Sequence, residues 1–295
     1  DTIMLIREKV KLEEQAAKKK TFEVFHDKKK YKIGVIEIPA FYRDFEAMRK
    51  GESDFRSTTT DVKKLLIELS QEDVDGIIVD LRDNGGGSLD EAIELTGLFI
   101  EDGPVVQVKR SNGSIEVNND EDPSLYYKGP LAVLVNRFSA SASEIFSGAI
   151  QDYGRGIVLG ENTFGKGTVQ TLVDLDKMIN INREKLGSLK VTIAKFYRIS
   201  GGSTQHKGVA PDVEFPGVYE AEDVGESSYP SALPWDMIKP AEYRRLNNFG
   251  EIVPKLNKLH DARIKLDREF GFILEDIEEF KKKDNEKVIS LNEQV

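Results

Sequence analysis

A glycine-rich turn that directly follows a buried strand is the feature that most constrains the fold of this chain. Residues 76–81 (GIIVDL) form a continuous apolar run, which is typical of a strand that is covered on both faces. The run ends in a turn at residues 82–87, and apolar residues return at helical spacing over residues 89–100. The segment therefore predicts a buried strand, a tight turn and then a helix.

The rest of the chain continues this alternation. Further strands are predicted at residues 2–10, 21–26, 32–38, 105–110, 131–136, 156–160, 168–173 and 189–197. Further helices are predicted at residues 59–69 and 141–153, and Gly154 is well placed to end the second of them. Strands that alternate with helices along the whole chain predict an α/β fold with mixed parallel sheets.

The C-terminal quarter has a different character. Residues 216–234 are rich in Gly, Ser, Pro and acidic residues, which predicts a linker. Residues 240–291 are strongly charged and have helical spacing. We expect Leu256, Leu259, Ile264 and Leu266 to be the buried anchors of these helices.

Composition excludes several classes of partner and cofactor. The 42 Lys and Arg residues against 52 Asp and Glu residues give a net charge of −10, which argues against nucleic acid or an anionic membrane as the main partner. No apolar run approaches the roughly 18 residues that span a bilayer. The chain has no Cys and only three widely separated His residues, so we expect neither a metal site nor another cofactor.

Three segments could carry chemistry: the turn at residues 80–92, the small-residue turn into a helix at residues 136–154, and a glycine-flanked lysine at residues 160–170. A serine at a helix N-terminus lies beside free backbone N–H groups, which can also stabilise an oxyanion. A glycine turn supplies another N–H without an obstructing side chain. A lysine that is desolvated in a tight turn can act as a base near neutral pH.

Each segment also has a plainer interpretation when it is taken alone. The triple glycine is a common turn signal, the serine-rich run could simply cap a helix, and Lys166 could be a solvated loop residue. A phosphate-binding loop is disfavoured, because Gly167 rather than Ser or Thr follows the lysine.

Taken together and in order, these segments resemble the C-terminal-processing peptidases, most closely their tail-specific branch. The resemblance extends from Lys32 to Asp212, and less clearly to the C-terminus. The matching motifs are DLRDNGGG at residues 80–87, SASASE at 139–144, GENTFGKGTVQ at 160–170 and GVAPD at 208–212.

The resemblance implies a role for individual residues. Ser141, the second serine of SASASE, would be the nucleophile and Lys166 the general base. Gln170 would orient the lysine. The backbone N–H groups of Gly87 and Ala142 would form the oxyanion hole.

Asp152 falls at a position that the tail-specific branch uses for activity. Support of the lysine or of the local fold is as compatible with this position as a chemical role. The remaining serines of the motif, Ser139 and Ser143, are expected to pack or to cap the helix.

The resemblance also implies a spiral of ββα units like that of the crotonases, usually preceded by a PDZ domain. We expect residues 1–20 to be the last strand of a truncated PDZ domain and a linker, residues 21–217 to be the serine peptidase core, and residues 218–295 to be a linker and a helical region. The expected function is a serine endopeptidase that acts on unfolded or C-terminally tagged proteins with apolar tails. A periplasmic location and a lipoprotein adaptor are further implications of the family.

Three alternatives remain open at this point. A Ser-His-Asp hydrolase would need His206, because His26 and His260 lie in charged segments, and the GxSxG elbow is missing. A scaffold that binds peptides or apolar ligands without cutting them would be expected to lack the serine or the lysine. An acyl-CoA enzyme of the same fold would place paired carboxylates at the glycine turns.

For a peptidase, the alternating strand at residues 189–197 is the predicted sheet edge with which an extended substrate pairs.

Overall fold

The computed structural model describes residues 16–51, 55–178, 186–220 and 223–284, so the predicted strand at residues 2–10 lies outside the described residues. The strands are β1 (Lys18–His26), β2 (Lys29–Glu37), β3 (Gly76–Asp80), β4 (Gly103–Arg110), β5 (Ile115–Asp120), β6 (Leu131–Val135), β7 (Ile157–Gly160), β8 (Thr168–Asp174), β9 (Ser188–Tyr197) and β10 (Val213–Glu214). The helices are α1 (Phe45–Arg49), α2 (Thr58–Gln71), α3 (Leu89–Gly97), α4 (Ala142–Tyr153), α5 (Leu175–Met178), α6 (Ile252–Leu266) and α7 (Arg268–Asp284).

The larger sheet carries the core and confirms the α/β prediction. Its strand order is β1-β2-β3-β6-β7-β10, and every pair except the β1-β2 hairpin is parallel. The middle strands are apolar and buried, as Val79, Val133 and Val158 show. Strands β3, β6 and β7 are parallel, so their carboxyl ends lie together, and the candidate motifs that follow them meet at this end of the sheet.

Helix α4 is the most deeply buried helix next to the motifs. Ile145, Phe146, Ala149 and Ile150 are all buried, because the helix packs inside the core instead of lying on its surface. Gly154 ends the helix in the left-handed conformation at φ 60°, as the sequence predicted.

The smaller sheet corrects the prediction of a substrate-binding edge. Its strand order is β5-β4-β9-β8, and all its neighbours are antiparallel. Strand β9, the predicted edge, pairs with β4 on one side and with β8 on the other. The prediction was wrong because alternation along one strand reveals its faces but not its neighbours. The edge strands of this sheet are β5 and β8, and β8 begins two residues after Lys166.

Residues 223–240, here called the strap, run across the surface of the core, and helices α6 and α7 follow. The predicted anchors Leu259 and Leu266 are wrong, because their side chains are 67% and 87% exposed. The face of α6 that contacts the core instead carries polar residues: the Asn257 amide donates to the Asp212 carbonyl oxygen at 2.9 Å, and His260 stacks on Phe215. No described helix is both long and apolar enough to cross a bilayer.

Candidate active site

Ser141 stands at the sharp turn between strand β6 and helix α4. Its backbone has φ 58° and ψ −110°, a strained conformation for a residue with a side chain. The serines on either side are buried and used for structure: the hydroxyl of Ser139 donates to the Leu81 carbonyl oxygen and that of Ser143 to the Asn84 carbonyl oxygen, each at 2.8 Å. Of the three serines in the motif, only Ser141 is half-buried and lines an open cleft.

The glycine turn after β3 packs directly against the serine turn. Gly86 has φ 99°, and a Cβ there would lie 2.8 Å from the Cβ of Ser141. Gly87 has φ 151°, and a Cβ there would lie 2.1 Å from the carbonyl oxygen of Phe41. Only glycine fits at either position. Gly87→Val would therefore disturb the backbone of Phe41 as well as the Gly87 N–H, so we expect it to destabilise the fold as well as to alter the cleft.

Two backbone N–H groups at this junction are free. Within the described residues, neither the N–H of Gly87 nor that of Ala142 donates a hydrogen bond, whereas the N–H of Ser143 donates to Ala140 at 3.1 Å. Both free groups belong to residues that line the cleft beside Ser141. Free donors next to a serine are the arrangement that an oxyanion hole requires.

Lys166 reaches the same cleft from the turn between β7 and β8. The turn is shaped by Gly165, at φ 89°, and by the Gly167 N–H, which donates to the Gln205 side-chain oxygen at 2.8 Å. The lysine is half-buried, and desolvation lowers its pKa below the ordinary value of 10.5. The positive charge of Lys190 lowers the pKa of Lys166 further, while Glu226 and Glu144 raise it.

Ser141 and Lys166 line one cleft of about 750 Å³ together with the glycine turn. Gln170 lines this cleft as well. Its amide nitrogen contacts the Thr192 hydroxyl at 3.5 Å, and no hydrogen bond from Gln170 to Lys166 is present in the described residues. The structure thus brings Gly87, Ser141, Ala142, Lys166 and Gln170 together.

Glu144 is a residue of this site that the sequence reasoning missed. Its fully buried carboxylate accepts four hydrogen bonds, which come from the N–H groups of Ser141 (2.7 Å), Gly165 (2.7 Å) and Lys166 (3.0 Å) and from the Thr163 hydroxyl (2.7 Å). Burial raises its pKa to about 7, and the hydrogen bonds oppose that rise. The carboxylate joins the nucleophile turn to the lysine turn. The three-residue spacing of a capping box, from Ser141 to Glu144, was the signal available in the sequence.

Asp152 does not line the cleft. It lies eleven residues after Ser141, near the far end of α4, which is about 16 Å along the helix axis. Its carboxylate accepts hydrogen bonds from the Arg198 guanidinium at 2.6 and 3.0 Å and from the Ser200 hydroxyl at 3.0 Å. Of the roles left open for Asp152, this geometry favours support of the local fold, because the bonds tie α4 to the end of β9.

The histidines do not supply an alternative base. All three lie in the described part of the chain, and none lines the cleft. The ring of His206 bonds to the Leu233 carbonyl oxygen at 2.7 Å, His26 is exposed at the end of β1, and His260 is buried under α7. A Ser-His-Asp arrangement around Ser141 is therefore not formed.

With this geometry in place, comparison with known proteins identifies the family. Residues 32–215, more than half of the chain, match peptidase family S41. The chain belongs to that family. Residues 219–295 match a second family, described as the C-terminal domain of tail specific protease (DUF3340). The strap and the helices α6 and α7 fall within this second match.

Individual relatives agree with this assignment. The chain is 47% identical over 293 residues to a tail-specific protease of Haemophilus influenzae, covering 98% of this chain and 40% of that protein. It is 35% identical over 158 residues to a chloroplastic C-terminal processing peptidase of Tetradesmus obliquus, covering 54% of this chain and 32% of that one. A solved photosystem II D1 C-terminal processing protease superposes with a TM-score of 0.55 at 29% identity, over 70% of this chain and 50% of that one. The chain thus spans half or less of the length of these relatives.

Two charges near Lys166 should move the pH profile in opposite directions. Only neutral lysine can accept a proton, so kcat/KM should rise with pH as Lys166 loses its proton. Lys190→Gln removes a charge that lowers the pKa of Lys166, so the rise should move to higher pH. Glu226→Gln removes a charge that raises this pKa, so the rise should move to lower pH. Peptide cleavage measured at constant ionic strength checks both variants, and a shift in the same direction for both would contradict this assignment.

Proposed function

We propose that this protein is a serine endopeptidase that uses a Ser141–Lys166 dyad. The observation that carries the proposal is the shared cleft, in which a strained serine, a desolvated lysine and two free N–H groups meet. A serine hydroxyl needs an adjacent base to become a nucleophile. Lys166 lines this cleft beside Ser141, and desolvation lowers its pKa below the ordinary value.

The residues divide the reaction as follows. Neutral Lys166 takes the hydroxyl proton of Ser141 as the serine oxygen attacks the peptide carbonyl carbon. The N–H groups of Gly87 and Ala142 hold the negative oxygen of the tetrahedral intermediate. Lys166 then gives its proton to the leaving amine, and the acyl-serine ester is hydrolysed by water with the lysine acting again as base. Gln170, on the neighbouring strand segment, would help to orient the lysine in the bound state.

We expect an extended substrate to bind along the unpaired edge of β8. Among the described strands β8 pairs with β9 only, and its first residues line the cleft beside Lys166. A peptide that adds to this edge binds mainly through its backbone, which tolerates many side chains but demands an unpaired, extended segment. This favours unfolded or C-terminally tagged proteins with apolar tails as substrates.

The chemical step can be tested by covalent labelling. A fluorophosphonate probe should label the protein at Ser141, and Ser141→Ala should abolish both labelling and peptide cleavage. Ser143→Ala, at a buried serine two residues away, is the matched control, and the folded fraction of this variant should still be labelled by the probe. Labelling that survives in Ser141→Ala would contradict the assignment. Labelling without cleavage of any peptide would instead favour the non-cleaving scaffold.

The substrate proposal predicts selectivity for unfolded chains. A folded protein and its destabilised variant should be given the same apolar C-terminal tail and incubated with the full-length protease. We expect the destabilised variant to be degraded at least about tenfold faster, because the backbone of the folded one is already paired. Gel electrophoresis over time measures both rates. Equal rates, or no effect of an acidic tail in place of the apolar one, would contradict the proposal.

The wider organisation is also part of the proposal. We infer a division into residues 1–20 as the end of a PDZ domain with its linker, 21–217 as the peptidase core, and 218–295 as a linker and a helical region, except that strand β1 pairs with β2 from Lys18 onwards and so moves the start of the core to residue 18. The 47% identity to a tail-specific protease over nearly the whole chain supports a tail-recognising function in the full-length protein. We also propose a periplasmic location and a lipoprotein adaptor, as the resemblance of the motifs to the family implies, and fractionation and co-purification would test them.

A further inference from the structure

A second cavity of about 560 Å³ lies on the other side of Lys166. It shares four residues with the first cleft: Gly85, Lys166, Thr168 and Gln170. Ser141 lines the first cleft but not the second. The two cavities therefore join at the lysine, and an extended peptide that lies across the nucleophile can continue from one into the other.

The far wall of the second cavity comes from the strap. The core supplies Phe138, Ala140 and Phe164, and the strap faces them with Tyr229 and Leu233, among others. Tyr229 is 56% exposed and Leu233 is 42% exposed, although both side chains are large and mostly apolar. Apolar and aromatic groups therefore face each other across the cavity, and the polar residues of the lining lie mainly on the side of Lys166 and β8, with Glu226 as the one acidic residue.

The first part of the strap is attached to the turn that carries Lys166. The Glu226 N–H donates to the Phe164 carbonyl oxygen at 3.0 Å. The Gln205 amide donates to the Glu226 carboxylate at 3.3 Å, and its oxygen accepts from the Gly167 N–H at 2.8 Å. The strap is therefore bonded directly to the turn before Lys166, and through the Gln205 side chain to the turn after it.

The second part of the strap is also fixed to the core by hydrogen bonds. The Trp235 indole N–H donates to the Ser203 carbonyl oxygen at 2.8 Å, and the Lys195 ammonium donates to the Pro234 carbonyl oxygen at 2.7 Å. His206 bonds to the Leu233 carbonyl oxygen at 2.7 Å. A wall that is anchored before and after Tyr229 and Leu233 is a preformed surface, which is what a binding pocket requires.

The chemistry of the dyad indicates which part of the substrate reaches this wall. The carbonyl oxygen must point to the N–H groups of Gly87 and Ala142, on the glycine-turn side of Ser141. The leaving nitrogen must lie within hydrogen-bonding reach of the Lys166 ammonium, which protonates it. The chain that follows the scissile bond therefore leaves on the lysine side, where the second cavity begins.

We propose that the strap-walled cavity is the pocket for side chains that follow the scissile bond, and that it favours apolar and aromatic ones. This inference rests on the proposed function and adds a specificity determinant to it. Tyr229 and Leu233 select the substrate without taking part in bond cleavage.

The test compares the full-length protein with Tyr229→Ala/Leu233→Ala. Two quenched fluorescent peptides should be identical before the scissile bond and carry Phe or Gly residues after it. We expect the double variant to lose about tenfold in kcat/KM on the Phe peptide and to change little on the Gly peptide. Met237→Ala, at another exposed apolar residue of the strap that lines neither cavity, is the matched control and should retain the Phe preference.

A third substrate separates this inference from the proposed function. A peptidyl methyl ester with the same residues before the scissile bond carries only a methoxy group after it, so the double variant should cleave it at the wild-type rate. An equal loss on all three substrates, or an unchanged Phe preference, would overturn the pocket. If the wild-type protein showed no Ser141-dependent cleavage of any substrate, the proposed function itself would fall, and the pocket with it.

Discussion

Lys166→Arg is expected to reduce kcat/KM by about 10⁴-fold or more, because the loss of a general base removes the step that activates Ser141. The guanidinium stays protonated at any accessible pH, so it cannot accept the serine proton. In the structure the lysine owes its lowered pKa mainly to desolvation in the cleft. Initial rates on a peptide substrate, with protein that is verified to be folded by circular dichroism, measure the effect.

Two variants control this result. His206→Ala should keep near wild-type activity on a peptide with Gly after the scissile bond, because the ring contacts the strap and does not line the cleft. Lys166→His should retain a trace of activity, because imidazole can accept a proton but is too short to occupy the same position. Near wild-type cleavage by Lys166→Arg together with an inactive His206→Ala would replace the dyad with a histidine mechanism.

Glu144→Gln should have the second largest effect, although Glu144 contacts no substrate. One carboxylate oxygen accepts from the N–H groups of Ser141 and Lys166, and the other accepts from Thr163 and Gly165. An amide must turn its NH₂ group towards one of these pairs, which opposes donors to donors in a fully buried place. We expect the free energy of unfolding to fall by about 2–4 kcal/mol. We also expect kcat to fall about 100-fold, because the two turns lose their common tie and the dyad shifts.

Chemical denaturation and steady-state kinetics measure the two effects of Glu144→Gln. Glu161→Gln is the matched control, because Glu161 lies in the loop that carries Lys166 and its carboxylate accepts no hydrogen bond from the described residues. That control should change the free energy of unfolding by less than about 0.5 kcal/mol. If the two variants behaved alike in stability and in kcat, Glu144 would not be the tie between the turns.

Elements with a strong local signal were predicted closely. The buried strand β3 was expected at residues 76–81 and spans Gly76–Asp80, and helix α2 was expected at residues 59–69 and spans Thr58–Gln71. Strand β5 and the short β10 were missed. Their burial is irregular or their length is short, so neither produces a readable period.

The sequence by itself determined the fold class, the family and the residues brought to the cleft. These follow from local causes. Apolar runs form buried strands, and the turn after β3 requires glycine at Gly86 (φ 99°) and Gly87 (φ 151°), where a residue with a side chain would be strained. The motifs at residues 80–87, 139–144 and 160–170 each follow a strand of one parallel sheet, so their meeting at one edge is already implied by the class.

Only the tertiary structure decided which groups face one another. It showed that the sheet edge beside Lys166 is β8 and not β9, that Glu144 holds both turns, that Asp152 pairs with Arg198 far along α4, and that the strap walls a second cavity. The contact of Glu144 with Ser141 has the local signature of a capping box, whereas the other contacts join residues that are distant in the chain and have no local signature. The role of a buried carboxylate depends on the hydrogen-bond donors around it, and a strand is an edge strand when no neighbour pairs with one of its sides. Both depend on parts of the chain that are far apart in sequence.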